Sequence, residues 1–302
     1  MRIRRRGAAI EVVAHAKLNL FLEVFGKRGD GFHEIETLML PITLADTLSF
    51  EATHGPGIEL SCRLVHARHV ARAADAALPM GDENLVVRAA KLVASRAGRD
   101  LGARIDLTKR VPLAAGLAGG SSDAAATLLA ANLAWGLDWS RERLAELAAE
   151  LGSDVPFFLG DGAAVCRGRG ERIEPLPARG KPHFVIARPP RGLSTADVYR
   201  RCQPATSATA LGAVEISKAV TSGRWSAVGK LLHNRLRPAA EALEPSVASL
   251  AGEFARLDLW GHQMSGSGTA YFGICRDGRH ARRAASVLRS RKVGEVFTVR
   301  GA

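Results

Sequence analysis

Residues Pro112–Ser122 read PLAAGLAGGSS, and residues 123–132 continue as DAAATLLAAN. Upstream, residues 103–108 (ARIDLT) alternate in the manner of a strand. Downstream, the run from Ser121 to Ala134 is dominated by Ala and Leu, both strong helix formers. Strand, glycine-rich turn and helix thus follow one another. Gly116, Gly119 and Gly120 allow backbone N–H groups to approach a ligand closely. The helix beyond them opens with unpaired N–H groups and the positive end of its dipole. Two readings fit: an anion site suited to phosphate, or a glycine-rich turn followed by an ordinary Ser N-cap.

Other phosphate and catalytic signatures are missing. Lys27, Lys181 and Lys230 each follow a glycine but none precedes Ser or Thr, so the chain is not a P-loop NTPase. Gly168-Arg169-Gly170 lacks the third glycine of a dinucleotide fingerprint, because Ile173 takes its place. The protein-kinase motif set is missing too. His33-Glu34 begins like a zinc-protease motif, but Thr37 stands where the second His belongs.

Working outward, residues 10–25 (IEVVAHAKLNLFLEVF) read as a strand pair and residues 26–31 (GKRGDG) as a turn. Residues 32–42 and 46–53 read as strands broken by Pro41, and 57–65 as a further strand. Asn84 precedes a helix whose Leu85, Ala89, Leu92 and Val93 share a face, closed by Gly98. Ser140 is the expected N-cap of a helix over 141–150. Beyond Gly160 a hairpin is expected over 162–176, a buried strand over 183–189 and loop over 190–210. Helical runs follow near 211–221, 225–233 and 246–257. A second Gly/Ser loop and a strand lie in 261–275, then a basic helix over 278–290 and a strand over 293–299. The shift in pattern near Gly160 divides the chain into expected domains 1–164 and 165–302.

Two further segments carry chemistry. Lys17 sits in the apolar strand context AHAKLN (14–19), either as a functional cation or as a side chain reaching out of an edge strand. Asp154 lies in LGSDVPFF (151–158), between a helix end at Gly152 and Pro156. A carboxylate beside Val, Pro and two Phe is partly removed from water, and Lys17 is a cation that could compensate it. Its alternative reading is a cap for the next helix.

With 302 residues, 47% hydrophobic and 24% charged, the chain can build a core without disulfide or metal staples, and disorder is excluded as its main state. No apolar stretch is long enough to span a bilayer. The basic start at Arg2–Arg6 imitates a signal peptide, but Glu11 spoils the apolar region behind it. Cys62, Cys166, Cys202 and Cys275 show no metal-ligand spacing and read as free thiols of a cytoplasmic protein. The net charge of +12 fits a nucleic-acid surface, an anionic small molecule or compositional bias. No aromatic residues interleave with the basic ones, which favours the small molecule or the bias over nucleic acid.

Taken together, AKLNLFLEVFGKRGDGFHEIETL, PLAAGLAGGSSDAAATLLAAN, LGSDVPFFL and MSGSGTAYF, in this order over nearly the whole chain, resemble the GHMP kinases. Within that superfamily the opening motif looks like that of the kinases acting on a cytidylylated methylerythritol. The resemblance implies a two-domain α/β (α+β) fold with the site in the cleft between domains. It implies transfer of a phosphoryl group from ATP, with Mg²⁺, to the 2-hydroxyl of 4-(cytidine 5′-diphospho)-2-C-methyl-D-erythritol, in isoprenoid biosynthesis. By the same resemblance Lys17 and Asp154 form the catalytic pair. Pro112, Leu113, Ala114, Ala115, Gly116, Leu117, Ala118, Gly119, Gly120, Ser121 and Ser122 form the ATP phosphate loop. Asn19, Phe32, His33 and Tyr199 hold the acceptor, with Phe32 and Tyr199 as the two walls of a stack on the cytosine. A monomer or weak homodimer is expected, with no nucleic-acid or membrane partner.

The chain departs from the pattern at Ala114, Ala115 and Ala118, where the family loop is often richer in glycine. A methyl at 118 would crowd the phosphates if that residue must take positive φ. No Glu matches the one relatives use for Mg²⁺, which leaves Ser122 as a guess. Rival readings are a mevalonate- or homoserine-type GHMP kinase, an inactive binding protein on the same fold, and a nucleic-acid binder.

Overall fold

The computed structural model describes residues 1–65, 80–205 and 211–302. Its frame is a long antiparallel hairpin of β2 (Ala9–Lys27) and β3 (His33–Thr53), joined by a turn that brings Lys27 opposite His33. The pair expected within residues 10–25 is therefore a single strand, and β3 runs straight through Pro41. Pro41 pairs with Lys17 on one side. On its other side β3 is covered over Ile35–Met39 by β6 (Ala163–Gly168) and over Thr47–Thr53 by β5 (Gly102–Lys109). Pro41 falls in the gap between those two neighbours, where its missing N–H interrupts no bond to a second strand.

The larger sheet runs β1-β2-β3-β5-β4, with β1 as Arg2–Arg6 and β4 as Gly57–Leu64. β7 (Arg172–Leu176) completes the expected hairpin with β6, and β9 (His233–Asn234) lies parallel against Phe21–Leu22 of β2. The division expected between residues 164 and 165 falls inside β6.

One end of this sheet is covered by α1 (Leu85–Ala97), α2 (Gly119–Ala134) and α3 (Arg141–Leu151). Asn84 and Ser140 cap α1 and α3 as expected, accepting from the N–H groups of Val86 and Arg143. α2 is apolar around most of its circumference, and small side chains at Ala124, Ala125, Ala126, Ala130 and Ala131 let it sit buried among its neighbours. Val12, Leu48, Phe50, Val93, Leu107, Leu128 and Trp135 fill the space between.

The second sheet has the order β10-β11-β8-β12: Gly261–Met264, Tyr271–Cys275, His183–Arg188 and Glu295–Arg300, all antiparallel. Its helices are α4 (Thr195–Arg201), α5 (Leu211–Thr221), α6 (Trp225–Leu231), α7 (Arg237–Leu243), α8 (Pro245–Ala255) and α9 (Gly278–Ser290). The loop expected over 190–210 thus contains α4; its last five positions, 206–210, lie outside the described residues. The helix expected over 225–233 stops at Leu231, because His233 and Asn234 are drawn into the ladder of β2. Alternate residues of β2 and β3 (Leu18, Leu20, Leu38, Leu40) pack with Phe184, Ile186, Phe272 and Ile274 of the second sheet. That shared core fixes the two sheets around one cleft. Among the described residues no helix is long and apolar enough to cross a membrane. The four cysteines are free.

Candidate active site

Lys17 is not on an edge strand. It lies in the middle of β2, only 3% exposed, with β3 on one side. Register shifts between His15 and Lys17 and between Asn19 and Phe21 bracket the segment. Such bulges re-aim side chains, and here Lys17 and Asn19 line the cleft while Ala16, Leu18 and Leu20 stay in the core.

The Lys17 ammonium donates to Asn19 Oδ1 at 2.6 Å and to the carbonyl of Gly116 at 3.1 Å. It lies 3.5 Å from Asp154 Oδ2. Asn19 in turn donates to Thr37 Oγ1 at 2.8 Å, and Thr37 donates to the carbonyl of Phe21 at 2.6 Å. Asn19 and the Gly116 carbonyl, which hold the lysine, are themselves held, and this fixes the ammonium as a buried cation requires.

Asp154 follows α3 and precedes a single 3₁₀ turn, Pro156–Leu159. It does not cap that turn: the cap position is Val155, and no side chain bonds there. Its carboxylate, 33% exposed, faces the cleft and Lys17. Behind it, Val155, Pro156, Phe157 and Phe158 are buried and anchor the backbone.

The glycine-rich loop closes the cleft from the other side. α2 begins at Gly119, two residues before the expected start, and no side chain caps it. The serines are therefore in its first turn rather than at its cap. The N–H groups of Gly119, Gly120 and Ser121 have no intrahelical acceptor and, with the dipole, form an anion site at the cavity wall. Gly116 has φ of 73°, and a Cβ there would lie 2.1 Å from the Ser265 carbonyl oxygen. Only glycine fits that crossing. Gly119 has no positive φ, but a Cβ on it would meet Val111 at 2.9 Å and Lys109 Nζ at 3.1 Å.

Ala118 takes left-handed backbone, φ 54° and ψ 35°, and Ala114 does likewise at φ 48°. Each costs an L-residue about 1–2 kcal/mol relative to right-handed backbone. Ala118→Gly should relieve that strain, partly offset by the greater freedom of glycine in the unfolded chain. The expected outcome is a melting temperature within a few degrees of wild type and an ATP KM equal or lower. Loss of ATP binding in a calorimetric titration would contradict this loop conformation.

A cavity of about 960 Å³ joins these parts. Lys17, Asn19, Asp154, Phe32, His33 and Tyr199 all line it, as do the expected loop residues except Leu117 and Ser122. Leu117 points into the core, although its carbonyl accepts the Lys17 N–H at 3.1 Å. Ser122 is fully buried and its hydroxyl finds no partner. Phe32 is 46% exposed at the rim. The rings of His33 and Tyr199 lie 5.1 Å apart, tilted by 36°. Burial, aided by the Lys27 charge, lowers the His33 pKa, so the imidazole is neutral at pH 7.

Sequence reasoning missed several residues. Lys109, at the end of β5, lines the cavity beneath Gly119 and is only 2% exposed. It bridges two buried carboxylates, Asp46 and Asp123, the latter at 2.6 Å. Gly266 and Ser267 come from the second Gly/Ser loop, whose composition was visible but carried no charge to assign. Ser265 Oγ accepts the Asn19 N–H at 3.3 Å and donates to Gly116 O at 3.0 Å, which ties this loop to both β2 and the phosphate-site loop. Arg169, from the β6–β7 turn, also lines the cavity.

The family model described as "GHMP kinases N terminal domain" matches residues 84–162, and that described as "GHMP kinases C terminal" matches 216–294. A 4-diphosphocytidyl-2-C-methyl-D-erythritol kinase of Pelotomaculum thermopropionicum is 41% identical over 283 residues, covering 93% of this chain and 94% of that one. The same-named protein of Shouchella clausii is 39% identical, covering 96% and 93%. A crystal structure of a 4-(cytidine 5′-diphospho)-2C-methyl-D-erythritol kinase superposes with a TM-score of 0.79 at 38% identity, covering 97% of this chain and 99% of that one. A homoserine kinase from Cytophaga hutchinsonii, with a TM-score of 0.75 but 17% identity, shares the fold. By these matches, and by a cleft that sets a buried lysine and an aspartate beside an uncapped helix N-terminus, the chain belongs to the GHMP kinases, in the branch of the 4-diphosphocytidyl-2-C-methyl-D-erythritol kinases.

Proposed function

We infer that the protein transfers the γ-phosphoryl group of ATP to the 2-hydroxyl of 4-(cytidine 5′-diphospho)-2-C-methyl-D-erythritol, a step of non-mevalonate isoprenoid synthesis. The observation that carries this reading is the position of the Lys17–Asp154 pair. It lies between the uncapped start of α2 and the aromatic rim of Phe32, His33 and Tyr199, all on one cavity. ATP phosphates suit the first end, where N–H groups and the helix dipole meet them. A flat base suits the second.

In this reading Asp154 accepts the proton of the acceptor hydroxyl as the hydroxyl oxygen bonds to the γ-phosphorus, while the bond from that phosphorus to the β–γ bridging oxygen breaks and ADP leaves with its electron pair. Lys17 orients that carboxylate and offsets charge developing on the transferred group. Phosphoryl transfer depends mainly on such positioning and charge stabilisation. Phe32 and Tyr199 serve as walls for the cytosine, and neutral His33 can bond its polar edge. The basic chain, +12 overall, attracts two polyanionic substrates.

Mg²⁺ accompanies ATP in this reading and neutralises phosphate charge when bound. Among the described residues no cluster of three His, Cys, Asp or Glu could hold a metal. Ser122, with its unpartnered hydroxyl, lies behind the cavity wall, where Ser121 takes the lining position. Every group this reading uses comes from one chain, so a monomer or weak homodimer suffices. The cytoplasm supplies ATP and suits four free thiols.

The test is a phosphorylation assay with the cytidylylated methylerythritol, with mevalonate and homoserine as controls. Phe32→Ala should raise the acceptor KM by roughly 5- to 150-fold, the range for loss of one base stack, and His33→Ala should raise it through the lost hydrogen bond, with ATP KM nearly constant in both. Unchanged acceptor KM in both variants, together with equal turnover of mevalonate, would remove the cytidine site from this reading.

A further inference from the structure

Phe32 presents a problem for any role as a stacking wall. It stands on the turn between β2 and β3 with nearly half its surface in water. A free aromatic side chain on a loop loses rotamer freedom on binding, which weakens affinity. The turn backbone is already fixed. The Phe32 carbonyl accepts the Arg28 N–H at 2.7 Å, its N–H donates to Asp30 Oδ1 at 3.1 Å, and Arg28 bonds both Asp30 and Glu34. What remains is the ring.

The ring is held from the neighbouring β6–β7 turn, where Gly168 pairs with Ile35 of β3. The Arg169 guanidinium stacks over it, 4.9 Å from the ring centroid. The guanidinium is itself anchored, donating to the carbonyl of Ala149 at 2.7 Å. Ala149 is in the last turn of α3, where carbonyls lack an intrahelical partner. The arginine backbone is fixed too: its N–H donates to Glu171 Oε2 at 2.8 Å, between Gly168 and Gly170, both at positive φ. A Cβ on Gly170 would lie 3.6 Å from Ser153, the residue before Asp154. One short turn therefore touches the backbone beside Asp154 and reaches the ring of Phe32.

We propose that Arg169 is a positioning residue for acceptor specificity: it occupies one face of Phe32 and so holds the opposite face as a preformed platform for the nucleobase, at a fixed distance from Asp154. This rests on the cytidine reading above. A planar, anchored guanidinium suits the task; a lysine at this position would supply charge without the flat, two-point contact.

The experiment is a double-mutant cycle with Arg169→Ala, Phe32→Ala and the combination, each assayed for acceptor KM, ATP KM and kcat, with Arg169→Lys as the conservative variant. Arg169→Ala should raise acceptor KM by roughly 3- to 10-fold, leave ATP KM and kcat near wild type, and leave the thermal midpoint unchanged. Arg169→Lys should recover part of the loss. The double variant should be no worse than Phe32→Ala alone, because the arginine acts through that ring. If Phe32→Ala raises acceptor KM but Arg169→Ala does not, the proposal fails and the cytidine reading stands. If the two effects multiply, Arg169 acts independently of Phe32 and the proposal fails likewise. If Phe32→Ala itself has no effect, the ring is no platform and the proposal fails, while the cytidine reading is decided separately by His33→Ala and the mevalonate control.

Discussion

Asp154→Asn is expected to lower kcat by about 10²–10⁴, the usual contribution of a general base, while ATP KM stays close to wild type. The amide keeps the shape of the carboxylate but cannot accept a proton. Lys17 would keep its bonds to Asn19 and to the Gly116 carbonyl, so the phosphate-site loop stays in register. The side chain is a third exposed and caps no helix, so the fold has little reason to change. Steady-state kinetics with a parallel thermal melt check both halves of the expectation. Wild-type turnover would take Asp154 out of the mechanism. A lower melting temperature with a raised ATP KM would mean that the aspartate is structural.

The largest effect on stability is expected from Lys109→Met. The ammonium is buried and bonds Asp123 at 2.6 Å and Asp46 from the other side. Asp46 is well satisfied besides, since Oδ1 also accepts the N–H groups of Arg110 and Val111 at 2.5 and 2.9 Å. Asp123 is not: its Oδ1 has no partner. Removing the cation leaves two buried carboxylates uncompensated, a loss of about 3–5 kcal/mol. At 2–4 °C per kcal/mol for chains of this size, the midpoint should fall by roughly 6–20 °C.

The same cluster predicts how stability depends on pH. Burial, with Asp46 adding to it, pushes the Asp123 carboxyl up to about 7 against the opposing pull of Lys109. A carboxyl raised on folding binds its proton more tightly in the folded state than in the unfolded one. Its contribution is present at low pH and is lost as pH climbs from about 4 toward 7. Without Lys109 the two carboxylates favour a proton still more strongly. Lys109→Met should therefore be less damaging at pH 5 than at pH 8, and Asp123→Asn should flatten the wild-type slope between them. Urea titrations at the two pH values measure both, and equal losses at pH 5 and pH 8 would contradict the picture.

The elements that were legible share a cause: a local signal strong enough to settle them. Asn84 and Ser140 cap their helices as read, because a cap is a contact within three residues. The strand, glycine-rich loop and helix around Gly116 were legible because they are adjacent in sequence. Lys17 and Asp154 could be nominated by their odd surroundings, a carboxylate short of water and a cation that could compensate it, while the resemblance supplied their pairing as a catalytic couple across 137 positions. What failed was set by distant partners. Pro41 reads as a break, yet neither β5 nor β6 reaches it, and its neighbour Ala302 donates to the Pro41 carbonyl and asks for no N–H in return. His233 and Asn234 read as helix until β2 claims them. α4 is a seven-residue helix after Pro189, Pro190 and Gly192, too short and too close to breakers for its period to show. Lys109 reads as a strand-end lysine, and nothing local to it points to Asp46. Ala118 breaks a backbone rule in the place where function commonly sets such rules aside.

The bond between Asn19 and Ser265 has a consequence for the order in which a ribosome delivers this protein. Lys17 and Asn19 leave the exit tunnel well before Asp154, and Asp154 well before the loop that clasps Gly116 and the residue that bridges Ile42, Gly301. Until then Leu18, Leu20, Leu38 and Leu40 have no second sheet to bury them. The nascent chain thus carries Lys17 and Asp154 before it owns a pocket, and exposes a greasy hairpin until the second sheet is made. Such a surface invites holding factors and aggregation alike. A chain cut short before Ser265 would keep Lys17, Asn19 and Gly116 in sequence but lose the hydroxyl that ties them together in space.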